Sequence, residues 1–297
     1  MASQRDVKNK IASVKNIQKI TRAMEMVAAA RLRRAEQRIE ALRPYAEALG
    51  RMTRQAAMAA GSEAASLPLL REHAAKERVG LLLVTGDRGL AGGFNSQIIR
   101  AGLRYSVEMG EEGLSTDWYA TGRRGVSSLG FRGYELSGSY TGFSDRPAYA
   151  DARAIAEELI AAYVDERVDR VEMVFNSYVS PLTQRVTRQR LLPLTQEELA
   201  GEDGAEAGPL GRTPVDYEPD PEKILRRLVP DYIEISIYRA LVESAAGFFG
   251  AQMTAMRSAS ENAGEIITDY TLQMNRARQA EITQEIMEVV AGAEGLS

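Results

Sequence analysis

The chain has 297 residues, with 37 Lys and Arg against 41 Asp and Glu for a net charge of −4, which is material for one or two domains with a packed core. It has no Cys and one His, His73, so disulfides, thiolate metal sites and a histidine-based zinc site are excluded. The N-terminus is charged from Arg5 onward and no apolar run approaches the ~18 residues of a span, so neither a secretory signal nor a transmembrane helix is expected.

Residues 1–60 read as one long amphipathic helix. The apolar positions Val7, Ile11, Val14, Ile17, Ile20, Met24 and Val27, then Ile39, Leu42, Leu49 and Met52, recur mostly at steps of three, four or seven, the spacing of a coiled-coil seam. Pro44 is the one proline before Pro68 and predicts a kink or local loosening. At ~1.5 Å per residue the segment would be about 75 Å long, well beyond a globular core helix. Residues 231–290 repeat the pattern through Leu241, Ala245, Phe249, Met253, Met256, Ala263, Ile267, Tyr270, Met274 and Ala277. Neither stripe can be buried alone, so each is the expected partner of the other. Charge favours the pairing: residues 1–54 carry thirteen basic and five acidic side chains, and residues 231–297 carry four and ten. Exposed pairs of this kind select partner and orientation more than they stabilise.

Between the two helices the composition changes. His73 sits in a polar stretch and is expected at the surface. Val79–Thr85 is a continuous apolar run suited to a strand buried on both faces, followed by the turn Gly86–Asn95 and a helical pattern from Ser96 to Met109. That turn lacks the Gly-Lys-Ser/Thr of a P-loop, and its glycines at 86, 89, 92 and 93 miss the dinucleotide spacing, so it reads as structural. Asp117–Thr121 predicts a second strand before a basic glycine turn at Gly122–Gly125. Asp151–Asp165 predicts a helix with Asp151 as N-cap. Arg170–Tyr178 and Gln184–Leu192 predict two strands joined at Ser180-Pro181. A mostly parallel α/β domain over residues 77–193 follows. Residues 194–230 form an acidic, Gly- and Pro-rich loop and return segment, expected to be exposed or partly disordered over 195–221.

Candidate chemistry is sparse. The sequence has no Gly-x-Ser-x-Gly elbow, no histidine triad can form around a single His, and no carboxylate pair stands apart from the solvated ones. A basic N-terminal helix could serve as a nucleic-acid arm, but it has no aromatic residue before Tyr45. A coiled-coil adaptor, with or without nucleic acid, is the alternative reading. An enzyme built on the Gly86–Gly93 turn is a more distant one.

Four motifs, in order, carry a resemblance: Lys15–Ala29, Asp87-Arg88-Gly89-Leu90 with Gly92-Gly93, Tyr217–Pro221, and Arg276–Ile286. Through them the chain resembles the gamma-subunit family of F-type ATP synthases, the central rotor stalk, along essentially its whole length. The resemblance implies an antiparallel coiled coil of the terminal helices with an inserted Rossmann-like α/β domain. It also implies a shaft that couples proton flow through a membrane c-ring to ATP synthesis at the beta subunits by rotation. The implied partners are the alpha and beta subunits, the epsilon subunit and the c-ring, with one copy per complex, no nucleic acid, and membrane contact only through the c-ring. The implied location is peripheral, on the cytoplasmic face of the cell membrane. No catalytic group, cofactor or metal belongs to the chain. By the same resemblance Thr21, Met24 and Val27, with Arg278, Gln279 and Thr283, face the alpha/beta ring, and Tyr217 and Glu218 face the c-ring. Three positions depart from the family pattern. Gln252 stands where an Arg is usual before Met253-Thr254-Ala255-Met256, Ala91 where a Cys is frequent, and Val215 where an aromatic is common. The cysteine insertion of the plastid form is absent, so thiol control is excluded.

Overall fold

The computed structural model describes residues 4–74, 77–194 and 220–294. Helix α1 spans Gln4–Ala60 and ends in a 3-10 turn, Gly61–Ser66. Then come β1 (Arg78–Val84), α2 (Phe94–Glu111), β2 (Ser115–Thr121), α3 (Arg123–Phe131), β3 (Leu136–Tyr140), α4 (Tyr149–Val164), β4 (Arg170–Ser180), β5 (Thr183–Leu192) and α5 (Pro221–Glu294). The strands form one sheet in the order β3-β2-β1-β4-β5, parallel except for the β4–β5 hairpin. The chain divides into two compact units, Met1–Ala29 with Gln252–Ser297, and Ala30–Ala251.

In the larger unit, β1 sits mid-sheet, and every residue from Val79 to Val84 is buried. That is why it reads as an unbroken apolar run rather than an alternating one. Alternate residues still divide between two layers. Leu82 and Val84, with Met173 and Phe175, join a core built with Ile155 and Leu159 of α4, Ala56 and Ala60 of α1, and Val229, Ile233 and Ile237 of α5. Leu83 packs against Gly102 of α2 on the other side. The early part of α5 is therefore a core helix, and it begins at Pro221, where a first-turn proline costs no hydrogen bond.

Some expectations change. The basic turn at Gly122–Gly125 is the start of α3, with Gly122 at φ 80° as its N-cap. An added Cβ there would lie 2.2 Å from the Thr85 carbonyl oxygen, so only glycine fits. Asp151 is not an N-cap. Ala148 is, and the Asp151 carboxylate accepts its N–H at 2.8 Å from inside the first turn. Strand β3 (Leu-Ser-Gly-Ser-Tyr) is an addition, held at the sheet edge with few apolar side chains to announce it. Pro44 lies within an unbroken α1, and Pro230 within an unbroken α5.

His73 is also not a surface side chain. It is 8% exposed, its Nδ1 lies 3.2 Å from Asp169 Oδ1, and its ring stacks on Tyr163 at 4.3 Å. Asp169 Oδ2 accepts the N–H groups of Glu77 and Arg78. Burial alone would push the Asp169 carboxyl up, but these bonds and His73 outweigh it and hold it below the ordinary aspartate value.

Candidate interaction surfaces

Along α1 one continuous row of buried and half-buried positions runs through Val7, Ile11, Val14, Gln18, Thr21, Glu25, Ala28, Leu32, Ala35, Ile39, Leu42, Ala46, Leu49, Thr53, Ala56 and Ala60. Steps of four and three alternate without a break, which is a heptad seam. The seam leaves the apolar stripe at residue 17. From there to Ala28 it uses Gln18, Thr21 and Glu25, while Ile17 (51%), Ile20 (59%) and Val27 (52%) lie exposed, as does Met52. Those four residues, expected in the seam, are outside it. Each occupies a position adjacent to a seam residue, and in a helix adjacent side chains point about 100° apart.

The polar seam is satisfied within the smaller unit. Gln18 Nε2 donates to the Ser260 carbonyl at 3.1 Å, the Thr21 hydroxyl donates to the Gln18 carbonyl at 3.0 Å, and Arg257 Nε meets Glu25 Oε1 at 2.9 Å. Lys10 lies over the Tyr270 ring. These contacts fix an antiparallel register and bury the expected α5 stripe: Met256 and Ala263 are buried, and Ile267, Tyr270, Met274 and Ala277 half-buried. The Arg257–Glu25 pair has its signs reversed relative to the net charges of the two helices, so it does not follow from them. Lys8, Lys15, Lys19, Arg22, Arg33 and Arg34 are exposed.

Of the expected contact residues on α1, Thr21 is 9% exposed and sits in the seam, Met24 is half-buried and Val27 faces outward. Arg278, Gln279 and Thr283 are exposed on α5, the Thr283 hydroxyl bonding back to the Gln279 carbonyl at 2.8 Å. The structure does not bring the two groups together. The register that sets Lys10 by Tyr270 brings Gln4, the first described residue of α1, near Ala277, so among the described residues α5 is unpaired from Arg278 to Ala291. On that stretch Ile282, Ile286, Val289 and Val290 lie exposed at helical spacing, with Met287 beside them. This lone apolar stripe was missed in the sequence, where the difference in reach between the two helices is its only signal. Tyr217 and Glu218 lie outside the described residues.

The crevice where open parallel sheets bind ligands, at the carboxyl ends of the strands beside the central one, is filled. Phe248 and Ser244 of α5 meet Gly86, Phe94 and Thr121 there, leaving a cavity of only 10 Å³. A Cβ on Gly86 would lie 3.1 Å from the Phe248 ring, so the glycine admits a helix and not a phosphate. The adjoining loop is held by Asp87, whose carboxylate accepts the N–H groups of Arg123, Gly142 and Ser144. Burial would raise the Asp87 carboxyl, but these donors and the Ser144 hydroxyl outweigh it and hold it below the usual range. Leu90 of the same loop lies on the surface, 63% exposed, at φ 63°, a backbone region uncommon for a residue with a side chain.

A sheet whose crevice is filled by its own helix, in a chain whose long helices expose apolar side chains, defines a protein with surfaces suited to engaging partners. The match to the family described as ATP synthase covers residues 3–296. The ATP synthase gamma chain of Rubrobacter xylanophilus is 44% identical over 297 residues, covering 100% of this chain and 99% of that one. The gamma chain of Frankia casuarinae is 42% identical, with 100% and 99% covered. A chain in the central stalk and c-ring structure of the Tetrahymena thermophila mitochondrial ATP synthase is 25% identical, with a TM-score of 0.60, covering 81% of this chain and 99% of that one. A chain of the Euglena gracilis mitochondrial enzyme shares the fold, with a TM-score of 0.68 at 15% identity, covering 99% and 94%. The chain belongs to the ATP synthase gamma-chain family, and is a non-catalytic subunit of that complex. No helix among the described residues is long and apolar enough to cross a membrane.

Proposed function

We propose that the chain is the central rotor shaft of an F-type ATP synthase, coupling proton flow through the c-ring to ATP synthesis at the beta subunits. The observation that carries this reading is the pair of outward apolar stripes, Ile17–Val27 on α1 and Ile282–Val290 on α5, on a chain of this family. Each stripe lies beside residues proposed to face the alpha/beta ring: Thr21, Met24 and Val27, and Arg278, Gln279 and Thr283. Thr21 sits in the seam and would act by setting the local helix surface, while Val27 and the α5 residues are free to touch a partner. A shaft of this kind acts by contacting each beta conformation differently, since equal contact shifts no population.

Residues 1–60 and 231–290 serve as the coiled-coil helices, their Ala56–Ala60 and Ile233–Leu241 ends packed into the core of the foot, residues 77–193. Within 194–230, Tyr217 and Glu218 meet the c-ring, and the epsilon subunit binds beside the foot. The chain is peripheral, on the cytoplasmic face of the cell membrane, and touches the bilayer only through the c-ring. The test is co-purification of the tagged chain with the alpha and beta subunits of its own organism, followed by an ATPase assay. One copy per alpha/beta ring, with activity that depends on it, is expected. A stable chain that ignores both subunits would overturn the reading and favour the adaptor alternative.

A further inference from the structure

A separate feature belongs to the larger unit. Between α2 and the β4–β5 face is an open cleft of about 570 Å³, lined by Gln97, Arg100, Arg104, Glu108, Val186 and Arg188, with Tyr105 in its wall. That volume is in the range of small-molecule sites. Three guanidinium groups border it, against one lining carboxylate, Glu108, which lies 3.9 Å from Arg104. Arg188 is fixed from below: its guanidinium stacks over the Tyr105 ring at 4.3 Å, and its Nε meets Glu172 Oε2 at 3.4 Å. Glu172 is 4% exposed and also held by Arg170 at 3.2 Å, so the buried carboxylate is matched by two cations. Arg100 spends its Nε on the Ser96 carbonyl at 3.2 Å. Among the described residues the terminal nitrogens of Arg100 and Arg188 make no other bond.

Arg104 and Arg188 each have a carboxylate partner, Glu108 and Glu172, while Arg100 has none among the described residues. Arg100 and Arg104 stand one helical turn apart, where like charges repel, and Arg188 adds a third cation on the same cleft. An anion would remove that repulsion, and planar guanidinium forks match phosphate oxygens in bidentate fashion. We propose that the cleft between α2 and β5 binds a polyphosphate-bearing small molecule through Arg100, Arg104 and Arg188, with Gln97 as a neutral donor. The proposal does not rest on the rotor reading, since it uses none of the contact residues.

The test is calorimetric titration of the purified full-length chain with inorganic pyrophosphate and with ATP, at low and at physiological salt. The comparison is between R100Q/R104Q and a control with the same charge change on exposed α1 residues, R33Q/R34Q. Arg188 is left intact because removing it would strand Glu172. Saturable binding with one site is expected, about tenfold weaker in R100Q/R104Q and unchanged in the control. Tighter binding of ATP would identify a nucleoside polyphosphate, and equal binding a bare polyphosphate group. Absence of saturation below about 10 mM, or equal weakening in both variants, would overturn the proposal. So would binding of poly-glutamate through Arg100 and Arg104 with no binding of either phosphate, which would make the cleft a docking surface for an acidic polypeptide.

Discussion

The two compact units differ in how they use their apolar residues. In Ala30–Ala251 the sheet and the helices packed on it bury theirs, with Leu81, Leu82, Leu83, Ile155, Leu159 and Met173 all at 0% exposure, and exposed ones such as Leu90, Phe131 and Leu182 lie in loops or at an element end. In Met1–Ala29 with Gln252–Ser297 the seam includes Gln18, Thr21, Glu25 and Ser260, while Ile17, Ile20, Met26 and Val27 face out. Apolar burial is the main favourable term in folding, about 25 cal/mol per Å². The larger unit therefore uses it for its own stability, and the smaller one leaves it available for association.

That contrast can be broken hardest inside the larger unit. Gly122→Ala would set a Cβ against the Thr85 carbonyl at positive φ, and should destabilise by about 3 kcal/mol or more, read as a lowered urea midpoint of the purified chain. Asp87→Ala removes the acceptor for three backbone N–H groups and should cost about 2–3 kcal/mol. Because the Asp87 carboxyl titrates below its ordinary value when folded, its contribution is fully present above the unfolded aspartate value and disappears as pH falls through the lowered one. Urea midpoints measured from neutral pH down to acid should therefore converge for the native chain and Asp87→Ala, and parallel curves would remove the carboxylate from the account.

Effects in the smaller unit should be gentler. Ala28→Leu inserts bulk at a seam position with 0% exposure and should cost about 1–2 kcal/mol by overpacking. The double change Ile17→Ser with Ile20→Ser should alter the isolated chain by no more than about 0.5 kcal/mol while weakening capture by the alpha/beta ring. A large loss of stability instead would place these residues in the chain's own core. The smallest effect is expected from cutting the chain after Arg278. A lone helix of some 17 residues is marginal in water, so hydrogen exchange there should be nearly unprotected and its removal should leave the melting curve in place.

The same contrast explains what could be read from the sequence. The α5 stripe from Leu241 to Ala277 was legible because its apolar residues are its buried ones. Strand β1 was legible because a strand buried on both faces reads as a continuous apolar run, and β5, largely polar and half-exposed, was legible from the Ser180-Pro181 turn that pairs it with β4. The α1 stripe misled between Ile17 and Val27, because hydrophobicity there serves a surface, and a period of 3.5 can be read with either of two neighbouring residues as the start. Local rules fail where partners take over from the core. Strand β3 was missed because its Ser-Gly-Ser centre is placed by its backbone pairing with β2. His73 was misplaced because the partners that bury it, Tyr163 and Asp169, are some ninety residues away in sequence. The Arg100, Arg104 and Arg188 cleft was also invisible, since the sheet brings Arg188 to α2 from β5.

The bond from Gln18 to Ser260 joins residues 242 apart in the chain. At ribosomal rates of about 5–20 residues per second, α1 emerges on the order of ten to fifty seconds before its partner exists. During that interval both its seam and its outward stripe are bare, and the sheet can be completed first. Its excess of Lys and Arg over the first 54 residues makes two such unpaired helices repel one another during that interval.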